Sequence, residues 1–482
     1  MSFAPLDYAI VGLYFAALVG IGAATAVRRR RVGVAENEDY MVAGRTLTLP
    51  AFVATLVATW YGGILGVGEM AYGAGLGTWS AFGLPYYIYA VVYALFFAKR
   101  VRDARTLTIP DKLEEAHGRP TALLGAGLVF LLVTPAPYVL MLGTLFQGLF
   151  GWAMLPALLI GTAASVVFVV TGGFNTDVRT NILQFLLMFL SFGMIVAFAM
   201  AQHGGFGWVL AQVPATHRSL EGGLGWAYIS VWYVLALQTI VDPGFHQRVS
   251  AAKDVPTARR GILLSVVCWA VFDFLTITTG LYARALVPDL AAPVDAYPAL
   301  AERILPAGAR GLFWVGMLAT VMSTVLSFTF IAAITLGRDV IWRAKLAQKE
   351  DDVFWTRVGI GLTAALSVVA ALALPSVVGL WYVFGSAFVP GLLLPLVSAY
   401  APPRWRARPP WTLLSMLAGF GASSLWITLG ARAEGGSLAM PKYPLGIEAV
   451  YVGLAASLLC WGIGVALKPR DPATTGADRQ AR

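Results

Sequence analysis

Charge is what this sequence lacks. Of its 482 residues only 12% are charged, while 58% are apolar and the mean hydropathy is +0.74. A water-soluble domain devotes roughly a quarter of its residues to charge, so a soluble globule is excluded. Cysteine is nearly absent. Cys268 and Cys460 each sit inside an apolar run with no close partner in sequence, which argues against a disulfide framework and makes them small core residues. The histidines His117, His203, His217 and His246 fall in loops or at helix ends without metal-ligand spacing, and read as solvated or interfacial. A GxxxxGK[ST] phosphate loop, a nucleophile elbow and an HExxH pair are all missing. ATP-driven pumping therefore has no visible engine, and the chain does not read as an enzyme.

Long apolar runs are what the sequence has instead. A bilayer core takes about 20 apolar residues per helical span, and thirteen such runs can be drawn: 6–27, 50–74, 78–98, 121–149, 152–172, 179–201, 224–244, 261–288, 311–336, 357–375, 377–400, 411–431 and 447–467. The expected fold is an all-α polytopic membrane protein of about 13 transmembrane helices, a single membrane transport domain over residues 1–482. Between the spans the non-apolar stretches reach only about 20 residues, too short to hold a core of their own. No obligate protein partner is evident beyond the lipid bilayer.

The formal net charge of +9 does not point to nucleic acid, because the basic residues form short clusters beside apolar runs. Short cytoplasmic loops retain Lys and Arg. The run Arg28-Arg29-Arg30-Arg31 after the first span therefore places that end inside and the N-terminus outside. Alternation puts 28 of the 34 Lys and Arg on the cytoplasmic side, leaving Arg218, Arg284, Arg303, Arg310, Arg432 and Lys442 outside. The expected location is the inner (plasma) membrane, with residues 468–482 as a cytoplasmic tail. The first run lacks a small-residue cleavage site and reads as a retained span.

Two spans carry polarity that hydrocarbon disfavours. Residues 58–75, ATWYGGILGVGEMAYGAG, contain six glycines and the carboxylate Glu69. Gly62, Gly63, Gly66 and Gly68 cost several times ~1 kcal/mol of helix propensity relative to alanine. They fit either close helix packing or a helix broken so that its freed carbonyls can hold a cation. Residues 319–330, ATVMSTVLSFTF, align Thr320, Ser323, Thr324 and Ser327 on one helical face. Each hydroxyl fits a bond to the carbonyl one turn back. Facing an opened helix, the same stripe supplies the several neutral oxygens that suit Na⁺.

Residues 224–244 contain Trp232, Tyr233 and Gln238 and end in Asp242-Pro243-Gly244, a second interruption. With the first span set apart, residues 50–201 and 224–400 form two five-helix halves of opposite orientation, followed by two helices over 411–467. Interrupted spans in corresponding halves point to a binding site between them. Glu69 fits either a helix restart, where free N–H groups favour an anion, or contact with a cationic solute. Asp273, in mid-span, is a functional candidate by cost alone, and pairing with Thr276 is the structural alternative. Trp60 and Tyr61 beside an acid suit a quaternary ammonium, although interfacial aromatics are common.

The stretches DYMVAGRTL (39–47), ATWYGG, GGFNTDVRTNILQ (172–184), HQRVSAAKDVPTARRG (246–261) and MLATVMSTVLS (317–327) together resemble the sodium/solute symporter family, of the inverted-repeat amino acid/polyamine/organocation type, over about residues 5–465. The resemblance implies sodium-coupled uptake of a small organic solute by alternating access, on a five-plus-five inverted repeat with one helix before and two after. It implies a sodium site from the carbonyls of Ala58, Tyr61 and Thr320 and the hydroxyls of Ser323 and Thr324. It also implies a substrate region drawing on Trp60, Tyr61, Gly62, Gly63 and Glu69, with Trp232, Tyr233 and Gln238 across the cavity. The WYGG run resembles the choline-transporting branch, while amino acids, monocarboxylates and sugars stay open as solutes. One departure stands out. In the family's register its Thr-Asp pair falls on Thr180-Asn181, with Thr176-Asp177 one helical turn away and set aside as a decoy. Loss of that carboxylate implies one sodium per cycle. Proton-coupled or uncoupled carriage, or solute sensing by the same fold, are the competing readings, and the lack of an appended output domain weighs against the last.

Overall fold

The protein is described by a computed structural model covering residues 3–32, 40–167, 169–344, 352–374, 376–438 and 441–467. The tail 468–482 and the side chains of Arg28–Arg31, both used in the topology argument, lie outside the described residues. The chain is helical, and among the described residues the only strand-like pairing is an isolated bridge between Leu47 and Ala252.

The main helices are α1 (Pro5–Val32), α2 (Leu49–Trp60), α3 (Ile64–Ala74), α4 (Trp79–Ala104), α5 (Ile109–His117), α6 (Arg119–Phe150), α7 (Met154–Val166) and α8 (Val169–His203). They continue as α9 (Trp226–Leu235), α10 (Gln238–Val241), α11 (Pro243–Ala251), α12 (Val255–Leu286), α13 (Ala309–Ile334), α14 (Val353–Ala373), α15 (Val377–Ala399), α16 (Pro409–Arg432) and α17 (Ala449–Ala466). Among the described residues ten are long and apolar enough to cross a membrane, or eleven with the bent pair α2–α3 taken as one span. The thirteen expected spans are therefore not reproduced as thirteen continuous helices. Within residues 152–172 lies the 13-residue α7, and α8 already begins at Val169. Residues 224–244 are broken into α9, α10 and the start of α11, because Pro243 begins a new helix whose first turn is capped by Asp242 accepting from the Phe245 amide at 2.9 Å.

Burial locates the centre of the molecule. The most apolar window of α13 is 100% buried, against 28% for α1 and for α17. A helix apolar all round that also carries hydroxyls belongs inside a bundle. α13 packs against α8, α2 and α14, so the hydroxyl stripe faces other helices and not lipid. The histidines correct the sequence reading. His117, His217 and His246 are buried, with Nε2 lying 3.1, 3.0 and 3.1 Å from the carbonyls of Pro395, Tyr72 and Ile240. They tie helix ends together, since a buried ring nitrogen needs a partner. Cys268 and Cys460 are both free.

Candidate functional site

The glycine-rich span is an interrupted helix. α2 ends at Trp60 with Tyr61 as its cap, Gly62 and Gly63 carry the break, and α3 restarts at Ile64, with the two axes bent by 62°. The glycines are required by closeness. A methyl group on Gly62 would overlap the Thr324 side chain, and one on Gly63 would overlap the Trp381 ring. Close packing and a broken helix thus occur together, because the break exists and neighbours press against it.

A helix that stops leaves its last carbonyls without intrahelical partners. Here the Ala58 carbonyl lies 2.8 Å from Ser323 Oγ, and the Thr59 carbonyl accepts from Thr324 Oγ1 at 2.6 Å. Ser323 Oγ also lies 2.7 Å from the Thr320 carbonyl. Ala58, Thr320 and Ser323 therefore converge on one point, with Thr324 beside it. Tyr61 caps α2, but its side chain turns elsewhere: its hydroxyl donates to Asp273 and sits 2.8 Å from Thr276 Oγ1. Thr320 Oγ1 bonds back to the Gly316 carbonyl at 2.7 Å, leaving its own carbonyl as the group directed at Ser323. The cluster offers neutral oxygens and no carboxylate, a donor set suited to a monovalent hard cation. Among the described residues no group of three or more His, Cys, Asp or Glu could hold a metal ion.

One turn further along the stripe the polarity changes character. Ser327 donates to Asp177, and Arg248, fully buried, lies with Nη2 2.6 Å from Thr59 Oγ1, 3.2 Å from Thr55 Oγ1 and 3.3 Å from Asp177 Oδ2. Asn181 Nδ2 donates to Thr55 Oγ1 at 2.9 Å and to Asp177 Oδ1 at 3.1 Å. Asp177 is therefore no decoy. It sits four residues before Asn181 on the same face of α8, so a shift of one helical turn leaves the carboxylate in the same buried cluster.

Beside the break lies a cavity of about 120 Å³. Trp60, Tyr61, Gly63, Trp232 and Gln238, all expected around the solute, line it. Gly62 does not line it and lies against Thr324; Glu69, half-buried on α3, and Tyr233, packed on the side of α9, also lie off its wall. Asp273 does line it, held by the hydroxyls of Tyr61 and Tyr87 where the sequence suggested Thr276; Thr276 Oγ1 bonds back to the Phe272 carbonyl at 3.0 Å. Sequence reasoning missed Tyr86, Tyr138, Trp269 and Trp381 as further walls. The cluster of tyrosines in α4 was the one available signal.

Comparison with known proteins places the chain in a family. The High-affinity choline transporter 1 of Drosophila melanogaster is 28% identical over 397 residues, covering 76% of this chain and 61% of that protein. Sodium/glucose cotransporter 4 of Danio rerio is 26% identical, covering 75% and 62%. The chain thus spans about three fifths of the length of these two relatives. The osmoregulated proline transporter OpuE of Bacillus subtilis (strain 168) is 26% identical and matches over 93% of this chain and 94% of its own. Among solved structures, a Na⁺-coupled sialic acid symporter in a substrate-bound outward-open state superposes with a TM-score of 0.80 at 15% identity, covering 97% of this chain and 99% of that one, and so has the same fold. The profile of the Sodium:solute symporter family matches residues 40–398, and the chain belongs to that family.

Proposed function

We propose that the protein is a secondary active transporter that couples sodium influx to uptake of a small organic solute by alternating access. The observation that carries this reading is the meeting of the Ala58 and Thr320 carbonyls with Ser323 Oγ at the end of a broken helix. Family membership and relatives named for choline, glucose and proline support a small organic solute. Sodium is held by Ala58, Tyr61, Thr320, Ser323 and Thr324, and the solute occupies the neighbouring cavity. The two cargoes then share the α2–α3 break, so that each one's binding alters the free energy of the other's.

Two five-helix halves, 50–201 and 224–400, form the moving parts, with the N-terminus outside and the C-terminus in the cytoplasm of the cell. One sodium moves per cycle. In support, Asn181 is neutral and the nearby carboxylate Asp177 is engaged by Arg248 at 3.3 Å.

Purified protein in proteoliposomes tests the reading. Uptake is measured with and without an inward sodium gradient over an amino acid, a monocarboxylate, a choline-like cation and a sugar. For the solute that binds, the sodium gradient should raise the initial rate; equal rates with and without it would remove sodium coupling and favour a proton-coupled or uncoupled carrier.

A further inference from the structure

Of the 15 residues around the cavity, ten are aromatic, one is a carboxylate and none is basic. The carboxylate, Asp273, lies in the middle of α12, buried among rings. A charge at that depth is costly unless something of opposite sign approaches it. Among the described residues no Lys, Arg or His pairs with it, and its two oxygens instead accept one phenol each, Tyr61 at Oδ1 and Tyr87 at Oδ2. The phenols satisfy hydrogen bonding without neutralising the charge. The counter-charge is left for whatever fills the cavity.

Resting on the transport reading, we propose that the solute is a small organic cation whose ammonium is alkylated, a quaternary nitrogen above all. Two observations favour that class over a primary amine. A primary ammonium brings three donors that each need an acceptor. Here each carboxylate oxygen already accepts a hydroxyl, leaving about two of its four acceptor sites for three donors, and most of the wall is ring. An alkylated ammonium needs no acceptors and is attracted by aromatic faces. Trp60 and Tyr86 stand edge-to-face at 5.9 Å on one side, and Phe82 and Trp232 at 4.3 Å on another. The volume of about 120 Å³ admits a compact head group. Trp232, Trp269 and Trp381 line the same wall, and among the described residues the buried indole N–H of Trp269, like those of the other two, has no acceptor. That donor suits a hydroxyl, ether or carbonyl oxygen at the other end of the ligand.

The experiment compares choline with 3,3-dimethylbutan-1-ol, its uncharged carbon isostere, by thermal stabilisation of the purified full chain in saturating sodium. Choline should stabilise saturably, with an affinity at least about 30-fold above the isostere, as a desolvated cation–π site would give. Asp273→Asn should weaken choline by about tenfold or more while the shift caused by sodium alone persists, which also reports that the variant is folded. If Asp273→Asn fails to fold, the comparison of cation with isostere in the native protein decides alone. Equal stabilisation by the two compounds, no stabilisation by either, or undiminished choline affinity in a folded Asp273→Asn would overturn the proposal. Those results with the sodium shift intact would leave the transport reading standing, whereas loss of the sodium shift in the native protein would count against that reading itself.

Discussion

The Ser323 hydroxyl lies 2.8 Å from the carbonyl oxygen of Ala58, joining two helices whose contact residues are 265 positions apart in the chain. A helix end that offers carbonyls, faced by a helix that offers hydroxyls, needs no acidic residue to attract a monovalent ion. This explains how a buried face of α13 tolerates Thr320, Ser323, Thr324 and Ser327 together.

Sodium should therefore stabilise the folded protein. A ligand at a hundred times its Kd adds about 2.7 kcal/mol to the native state. A thermal-unfolding series in sodium against matched potassium should show a rising midpoint in the native protein and a flat one in Ser323→Ala/Thr324→Ala. An undiminished sodium response in the double variant would move the site elsewhere.

Substitution at the break should be harsh in proportion to closeness. Gly62→Ala drives a methyl group into Thr324, and Gly63→Ala into Trp381; overpacking of this kind costs about 1–3 kcal/mol. Gly73→Ala, with open space around it, is the control. Both break variants should lose uptake and melt earlier, while Gly73→Ala should do neither.

Not all of the site was legible in the sequence. The glycine cluster and the hydroxyl stripe stood out because hydrocarbon makes such residues expensive wherever they fall. The walls contributed by Tyr138, Trp269 and Trp381 did not, since each is one aromatic among many on a separate helix and only the tertiary fold brings them to one cavity. Asp177 was set aside by matching a motif letter by letter; a helical face, which repeats every turn, is the physically relevant register. The thirteen runs are likewise not all continuous helices. In 224–244 the interruption marked at Asp242-Pro243 is where a new helix begins, while the earlier break between Leu235 and Gln238 carries no proline or glycine to announce it.

The buried pair Arg248–Asp177 should behave as a unit. Both side chains are almost wholly buried, at 0% and 1% exposure. Removing one partner strands the other's charge, a loss of about 3–5 kcal/mol. Arg248→Met should therefore melt well below the native protein. Arg248→Met/Asp177→Asn, which removes both charges, should melt above Arg248→Met alone. Strict additivity of the single effects would dissolve the pairing.

Acid should loosen one particular joint. α5, between two spans, carries Asp111, bonded by Arg338 Nη1 at 2.8 Å and by Arg343 Nη2 at 2.7 Å. Burial pushes the Asp111 carboxyl up, but Arg338 and Arg343 outweigh it and hold the group below the usual carboxylate range. A depressed carboxyl contributes stability above its unfolded pKa, about 3.9, and loses it as pH falls through the lower folded value. The melting gap between native protein and Asp111→Asn should be constant above about pH 5 and close below about pH 4. A gap that widened on acidification would contradict this account of the joint.

Central to the whole account is that sodium and solute move together. Radiolabelled sodium influx into proteoliposomes, recorded with the proton gradient collapsed and the solute added or withheld outside, tests this most directly. The account predicts that solute accelerates sodium influx and that Ser323→Ala/Thr324→Ala abolishes the acceleration. Solute that enters while sodium influx stays unchanged would contradict it.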